Sequence, residues 1–322
     1  MSVLAPWQMD AWRSLSSALA GGRLHHALLF AAPAGLGKRA LVDAFVAAAL
    51  CERRGAQGFA CGACRSCALV AAGSHPDLVR VGLELRDDGK QRTEITIDQM
   101  RALSQRLSMS SQFGGLQIAL VDPADRLNAS AANGLLKTLE EPATSTVIAL
   151  VADDPSRLPA TIRSRCQRID LREPSLEEAL AWLRAQGLGA QQASEALDAS
   201  LGNPGRALTW SQDATLPLRE SCSQDLAALG RGRKSALELA EQWANDRPGL
   251  RLWFAAVIAR DEADRRATGA SLTERDEIPK LAAWFGRANR ARGLLSTTLR
   301  IDLLLLDLLR AWPRRDAATD RG

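Results

Sequence analysis

Short apolar runs alternate with helical patterns over residues 1–170 of the chain. The apolar runs that predict buried strands are residues 25–31, 76–82, 116–122, 146–152 and 166–171. Between them, segments with apolar positions three and four residues apart predict helices at 38–50, 97–109, 128–140 and 157–163. Strands connected by helices in this way indicate a parallel sheet covered on both faces. The expected fold class of this part is therefore α/β.

The pattern changes near Pro174. The segment "PSLEEALAWLRAQG" begins with Ser175 as a helix cap, carries acidic residues in its first turn and stops at a glycine. From there onward the apolar spacing is helical and no further strand is predicted. We expect a small helical lid over 171–210 and an all-α domain over 211–322, with a disordered tail from about 313.

Composition and charge narrow the function classes only a little. A chain of 322 residues with 46% apolar residues can bury more than one core. The net charge of +4 permits contact with nucleic acid but does not require it. The start "MSVLAPWQMD" lacks the features of a secretory signal, and no run reaches the roughly 20 apolar residues of a membrane span. We expect a cytoplasmic protein without membrane contact, in which clustered cysteines favour metal over disulfides.

The stretch "APAGLGKR" approaches the phosphate-binding loop G-x-x-x-x-G-K-[ST]. Gly35, Gly37 and Lys38 match the motif, and they lie between a predicted strand and a predicted helix. Ala32 replaces a glycine, and Arg39 stands where a serine or threonine hydroxyl would bind magnesium. Because arginine has no acceptor oxygen, it cannot take that role. The loop alone leaves two possibilities open, a nucleotide site and an empty loop that keeps its fold.

The predicted strand at 116–122 ends in an acidic residue. Asp122 lies at the carboxyl end of this strand, where open α/β sheets hold ligands. A triphosphatase of this architecture would need a glutamate next, to orient the attacking water. Pro123 stands there instead, and Asp125 need not point into the site. Two parts of a hydrolytic site are thus missing from their usual positions, which disfavours hydrolysis.

Four cysteines within residues 51–67 predict a metal module. They are Cys51, Cys61, Cys64 and Cys67. Four thiolates at such spacing can surround a tetrahedral zinc with no open coordination position, so that the zinc would be structural. An iron–sulfur cluster and free buried thiols are the alternatives. His75 is a spare candidate ligand, although "SHPD" has the composition of a loop leading into a strand.

The arginines near the fifth predicted strand allow two interpretations. The stretch "ATIRSRCQRI" contains Arg163, Arg165 and Arg168. Arginines at such an edge are usually solvated or salt-bridged surface residues. An arginine presented to a neighbouring subunit can instead stabilise the charge that develops on a transferring phosphoryl group. The pattern alone does not choose between these roles.

Taken together, these segments resemble one family. The segments "HHALLFAAPAGLGK", the four-cysteine insert, "VDPADRLNASAANGLLKTLEEP" and "LPATIRSRC" occur in this order within residues 20–210. They are similar to the bacterial clamp-loader subunits of the AAA+ class. The resemblance implies a RecA-like AAA+ sheet with a zinc-module insert, then the lid and a C-terminal collar. It also implies a ring of five subunits, with tau/gamma motor subunits and a delta subunit as partners, that sets the sliding clamp on primed DNA.

Within that family, the departures of this chain fit a non-catalytic member. Ala32, Arg39 and Pro123 are incompatible with a normal motor subunit. The resemblance implies that the arginine of "SRC", Arg165, reaches into the ATP site of the adjacent motor subunit. Arg206 falls at a nucleotide-sensing position, where its role is open without hydrolysis. We therefore expect a clamp-loader subunit with structural zinc and without intrinsic ATPase activity, while ATP binding to the degenerate loop stays open.

Two rival interpretations remain at this stage. An active ATPase motor subunit of the clamp loader would need a magnesium ligand from somewhere other than position 39. A zinc-dependent nucleic-acid-binding module is disfavoured because "CGACRSC" has no basic or aromatic residue besides Arg65. The predicted helix 97–109 carries Arg101 and Arg106 and could face a DNA backbone, although a solvated charged face is the simpler interpretation.

Overall fold

The computed structural model describes residues 4–86, 88–213, 215–269, 278–295 and 299–313. The chain divides into two compact units. The first comprises the chain up to Ala185 together with Asn203–Arg206, and the second comprises Gln186–Gly202 and the chain from Ala207. The predicted disordered tail lies outside the described residues, except for Pro313.

The first unit is built on a parallel sheet of five strands. They are β1 Ala27–Ala31, β2 Leu78–Val81, β3 Gln117–Val121, β4 Thr146–Ala152 and β5 Gln167–Asp170. Their order across the sheet is β2-β3-β4-β1-β5, and every neighbouring pair is parallel. All residues of the three central strands are buried, as expected for strands covered on both faces. The predicted parallel α/β sheet is thus confirmed, and each predicted strand overlaps an observed one.

Helices cover this sheet on both faces. They are α1 Met9–Ala20, α2 Lys38–Leu50, α3 Arg65–Ala71, α4 Ile97–Leu107, α5 Ala129–Glu140 and α6 Ala160–Arg163. The first unit also contains α7 Leu176–Ala185. Alternate residues of β1 point to opposite faces, so that Phe30 packs with the α1 and α2 side chains and Leu29 with those of α4 and α5. The helix predicted over 157–163 is shorter than expected. A 3-10 turn at Pro155–Arg157 comes first, and Pro159 keeps the preceding residue out of helical conformation.

The described part of the second unit is entirely helical, as its periodicity predicts. Its helices are α8 Ala190–Ala199, α9 Pro204–Gln212, α10 Leu216–Gly230, α11 Ala236–Asn245, α12 Pro248–Gly269, α13 Ile278–Leu294 and α14 Ile301–Arg310. The first residues of α9 belong to the first unit. None of the described helices is both long and apolar enough to cross a membrane.

A buried ion pair lies in the core of the second unit, among aromatic and aliphatic side chains. Asp225 accepts hydrogen bonds from Trp243 Nε1 (2.9 Å), Lys234 Nζ (2.6 Å) and Arg251 Nη1 (3.3 Å). Asp225 and Arg251 are each only 3% exposed. A buried carboxylate needs such partners because desolvation of an unpaired charge is costly. Cys222, also fully buried, belongs to the same core.

Candidate functional site

The loop between β1 and α2 has the backbone that a phosphate-binding loop needs. Gly35 and Gly37 both adopt positive φ angles, 95° and 80°, which glycine accepts without steric cost. Gly37 is the residue that caps α2, and Lys38 is the first residue of this helix. The sequence therefore folds here as the motif predicts, with a buried strand, a glycine turn and a helix N-terminus in succession.

The N-terminal segment of the first unit holds this loop in place. Gln8 donates through Nε2 to the carbonyl oxygens of Leu36 (3.2 Å) and Gly37 (2.7 Å). Trp7 donates through Nε1 to the Leu36 carbonyl at 2.9 Å. Both side chains are 2% exposed, so these bonds are shielded from water.

The start of α9 holds the same loop through a second set of bonds. Asn203 donates through Nδ2 to the carbonyl oxygen of Ala34 (2.8 Å), and the Gly205 backbone N–H donates to the Gly35 carbonyl (3.1 Å). A Cβ atom at Gly205 would lie 2.2 Å from that same carbonyl oxygen, so only glycine fits. The loop conformation is therefore fixed by protein groups, which no local motif in the sequence signals.

Arg39 fills the place beside Lys38 where the motif has a hydroxyl. Its Nε and Nη2 donate to Oδ2 and Oδ1 of Asp122, each at 2.8 Å, in a bidentate pair. Its Nη1 and Nη2 also reach the carboxylate of Asp153, each at 3.3 Å. The hydrogen bonds to Asp122 hold the pKa of Arg39 above its ordinary value. A permanent positive charge thus lies between the acidic residues that follow β3 and β4.

Lys38 completes a four-charge cluster, consisting of Lys38, Arg39, Asp122 and Asp153. Lys38 is 2% exposed and forms an ion pair with Asp153. Burial alone would raise the pKa of Asp153, but the hydrogen bonds from Lys38 and Arg39 outweigh it and lower this pKa. Sequence reasoning missed Asp153, although it directly follows the predicted strand 146–152 and so falls at the same sheet edge as Asp122.

Two other residues near this edge have different partners. Asp125 is buried and accepts a hydrogen bond from the Asp154 backbone N–H at 3.0 Å. The backbone N–H of Arg206 donates to Asn203 Oδ1 at 3.0 Å, and burial lowers the pKa of the Arg206 guanidinium. A cavity of about 280 Å³ opens beside the loop, where Trp7 and Trp182 meet edge to face at 5.5 Å between ring centroids.

The structure brings the four predicted cysteines together. Their Sγ atoms all lie within 4.8 Å of one another, with Cys51 3.9 Å from Cys64 and Cys61 4.0 Å from Cys67. Sulfurs bound to one tetrahedral zinc at about 2.3 Å would be separated by roughly 3.8 Å. The backbone N–H groups of Ala63 and then Cys64 lower the pKa of Cys61 to about 6, which favours its thiolate. The donor set and its spacing fit a metal ion.

His75 is not a member of this cysteine cluster but supports it. Its Nδ1 accepts from the Asp77 backbone N–H (3.1 Å), so the neutral ring carries its proton on Nε2. Nε2 lies 2.6 Å from the Ser66 hydroxyl, which donates to the Leu50 carbonyl at 2.6 Å. Burial lowers the pKa of His75, which keeps the ring neutral. This chain of bonds connects the end of α2, next to Cys51, to the segment before β2.

Arg165 lies at the surface between α5 and α6. Its Nη2 is 2.6 Å from Glu140 Oε1, and its Nη1 donates to the Thr161 carbonyl at 2.9 Å. The side chain remains 38% exposed. The pair joins two stretches that the sequence singled out, "LLKTLEEP" and "SRC". Arg168 pairs separately with Asp170 at 2.6 Å.

Comparison with known proteins decides the family. The family model described as "DNA polymerase III, delta subunit" matches residues 7–175. The DNA polymerase III subunit delta' of Pseudomonas aeruginosa is 37% identical over 260 residues, which cover 79% of this chain and 76% of that protein. The chain belongs to the DNA polymerase III delta-prime family. The Escherichia coli protein of the same name is 35% identical over 281 residues, which cover 86% of this chain and 81% of that protein.

A relative with a different subunit name matches a shorter part of this delta-prime family member. The DNA polymerase III subunit tau of Escherichia coli is 32% identical over 165 residues, which are 51% of this chain and 24% of that protein. The resemblance to clamp-loader subunits that the four ordered segments suggested is therefore confirmed.

The arginines of α4 differ from each other in their surroundings. Arg101 is exposed and pairs with Asp98 at 3.1 Å. Arg106 instead donates through Nη2 to the Pro76 carbonyl at 2.8 Å. One of the two candidate phosphate contacts is thus turned toward the protein itself.

Proposed function

We propose that this chain acts as the delta-prime subunit of a bacterial DNA polymerase III clamp loader, that it does not hydrolyse ATP, and that it lends Arg165 to the ATP site of a neighbouring motor subunit. Its partners are then tau/gamma motor subunits and a delta subunit in a ring of five. The ring places a sliding clamp on primed DNA in the cytoplasm.

The setting of Arg165 carries the proposal for a role in trans. The guanidinium is held by one carbonyl of its own turn and by Glu140, and it stays partly exposed. An exposed ion pair of this kind contributes only about 0–1 kcal/mol to stability. A phosphate group from outside can therefore replace Glu140 as the partner of Arg165 at little cost. In other phosphoryl-transfer systems such an arginine contributes on the order of 10³–10⁵ in rate.

The four-charge cluster supports the absence of hydrolysis in the chain itself. Both oxygens of Asp122 already accept hydrogen bonds from Arg39, and Lys38 is paired with Asp153. Pro123 occupies the position of the acid that would orient the attacking water. Binding of magnesium and a triphosphate would require both ion pairs to break.

The four-cysteine module supports a structural zinc. Cys51, Cys61, Cys64 and Cys67 would all be ligands, which leaves no coordination position for water or substrate. Bound zinc would supply no reaction chemistry and would hold α3 against the end of α2.

The lid (171–210) and the collar (211–312) would position the AAA+ sheet domain in the ring. The collar would do so through contacts with the partner subunits.

The test is ATP turnover in a clamp loader rebuilt from its motor and delta subunits with this chain, in the presence of clamp and primed DNA. We expect the chain alone to be inert and Arg165→Ala to lower the turnover of the complex. Magnesium-dependent turnover by the chain alone would support the alternative of an active motor subunit.

A further inference from the structure

We infer that the guanidinium of Arg39 takes the place of the divalent cation in this loop, and that replacing this one side chain opens a latent site for a divalent cation and its nucleotide. The inference rests on the proposed absence of hydrolysis and assigns its cause to Arg39. The ligands that the four-charge cluster excludes are a divalent cation and the nucleotide bound with it.

The position of Arg39 is the first step. In a working loop, the hydroxyl after the lysine and the acid that follows the strand together hold magnesium. The acid is still present as Asp122, but both of its oxygens accept from Arg39 at 2.8 Å. The same guanidinium reaches Asp153 at 3.3 Å. It thus makes the carboxylate contacts that a hard cation would make.

The charge balance is the second step. Lys38 and Arg39 carry two positive charges, and Asp122 and Asp153 carry two negative charges, so that the cluster is neutral. Without Arg39, the same group would have a net charge of −1. Asp122 and Asp153 are 26% and 36% exposed, so a cation from solution can reach them. Carboxylate oxygens are the ligands that magnesium and manganese prefer.

The rigidity of the loop is the third step. Gln8, Asn203 and Gly205 hold its carbonyl groups through hydrogen bonds that do not involve Arg39. Loss of the guanidinium therefore leaves the glycine turn and the N-terminus of α2 in place. The remaining parts of a nucleotide site, Lys38 and the backbone of the loop, stay positioned.

The experiment measures manganese binding by electron paramagnetic resonance, which reports free Mn²⁺, on the full chain and on Arg39→Ser. The matched control is Arg80→Ser. Arg80 has the same side-chain exposure as Arg39, 46%, and forms a single ion pair with Asp43 elsewhere in the same unit. Each protein retains the four cysteines, so any binding there is common to all three. The second measurement is the melting temperature of each protein in MgCl₂, with and without ATP.

We expect Arg39→Ser to bind Mn²⁺ about tenfold or more tightly than either the unaltered chain or Arg80→Ser, a difference of about 1.4 kcal/mol or more. Its melting temperature rises with MgCl₂, and further with ATP, because a ligand that binds only the folded state stabilises it. If Arg39→Ser binds Mn²⁺ no better than Arg80→Ser, the inference is wrong, whereas the proposed function stands.

Two further outcomes are also decisive. If Arg39→Ser is unfolded in buffer without added divalent cation, recovery of its fold on addition of Mn²⁺ supports the inference, and failure to recover overturns it. Turnover of ATP by the unaltered chain would contradict the proposed function itself, which separates the two failures.

Discussion

The side chain of Arg39 contacts both carboxylate oxygens of Asp122, with Nε and Nη2 each 2.8 Å from one of them. This contact joins the first turn of α2 to the end of β3, across the edge of the sheet where ligands bind in such folds. The sequence shows two separate features, the replacement of a hydroxyl by Arg39 and the presence of an acid at Asp122. In the structure they form one ion pair, so that Asp122 has a partner supplied by the chain itself.

The four-cysteine module predicts one zinc ion per purified chain. Cys51→Ser is expected to abolish metal retention and to lower the melting temperature of the first unit, since metal binding to such a site contributes directly to folding. Mass spectrometry of the metal content and thermal melting check both effects. Cys166→Ser is the control, because Cys166 lies outside the cluster and its replacement should leave the metal content unchanged. Equal metal content in the two variants would contradict the module.

Gly205 should tolerate no side chain. A Cβ there would lie 2.2 Å from the Gly35 carbonyl oxygen, which is backbone and cannot move aside. We expect Gly205→Ala to destabilise the first unit by about 1–3 kcal/mol, as overpacking does, despite the helix preference of alanine. Gly115→Ala in the same unit, where no atom lies within 4 Å of the added Cβ, should change stability by less than about 0.5 kcal/mol. Denaturant titration of both variants measures the difference.

Asp77 makes stability depend on pH in the acid range. It accepts from the backbone N–H groups of Gln112 (2.8 Å) and Phe113 (2.9 Å), and these bonds lower its pKa although burial alone would raise it. A folded pKa below the unfolded value of about 3.9 stabilises the fold above that pH, and this stability is lost as the pH falls below it. Asp77→Asn should therefore flatten the decline in melting temperature between about pH 5 and pH 3. An unchanged slope in Asp77→Asn would contradict the role of Asp77.

Replacement of Asp225 should be among the most destabilising single substitutions in the second unit. Its removal takes from Arg251, 4% exposed at the side chain, its buried carboxylate and leaves it with the exposed carboxylate of Asp246, and it leaves Trp243 Nε1 without an acceptor. We expect Asp225→Ala to lower the free energy of unfolding by about 3–5 kcal/mol. Asp198→Ala removes an exposed carboxylate paired with Arg219 in the same unit and should cost less than about 1 kcal/mol. Chemical denaturation of the two variants compares them, and similar costs would argue against the buried pair.

The three central strands, β1, β3 and β4, were predictable because each is a short apolar run buried on both faces, a signal that is local in sequence. For the phosphate loop, the sequence predicted only which groups are missing, namely the hydroxyl that would bind magnesium and the acid that would orient the attacking water. Nothing local in "APAGLGKR" indicates that Arg39 would pair with Asp122, since that depends on which strands become neighbours. The contact of Asn203 with Ala34 spans 169 residues of sequence and leaves no pattern in either segment.

The role of Arg165 is tested most directly by ATP turnover in the rebuilt clamp loader with clamp and primed DNA. The comparison is between the unaltered chain, Arg165→Ala, and Arg168→Ala as the matched control, because Arg168 is an exposed arginine on the adjoining strand that pairs with Asp170. Gel filtration confirms that each complex is assembled. We predict that Arg165→Ala lowers turnover about tenfold or more while Arg168→Ala leaves it unchanged. Unchanged turnover with Arg165→Ala in an assembled complex would contradict the proposed trans arginine.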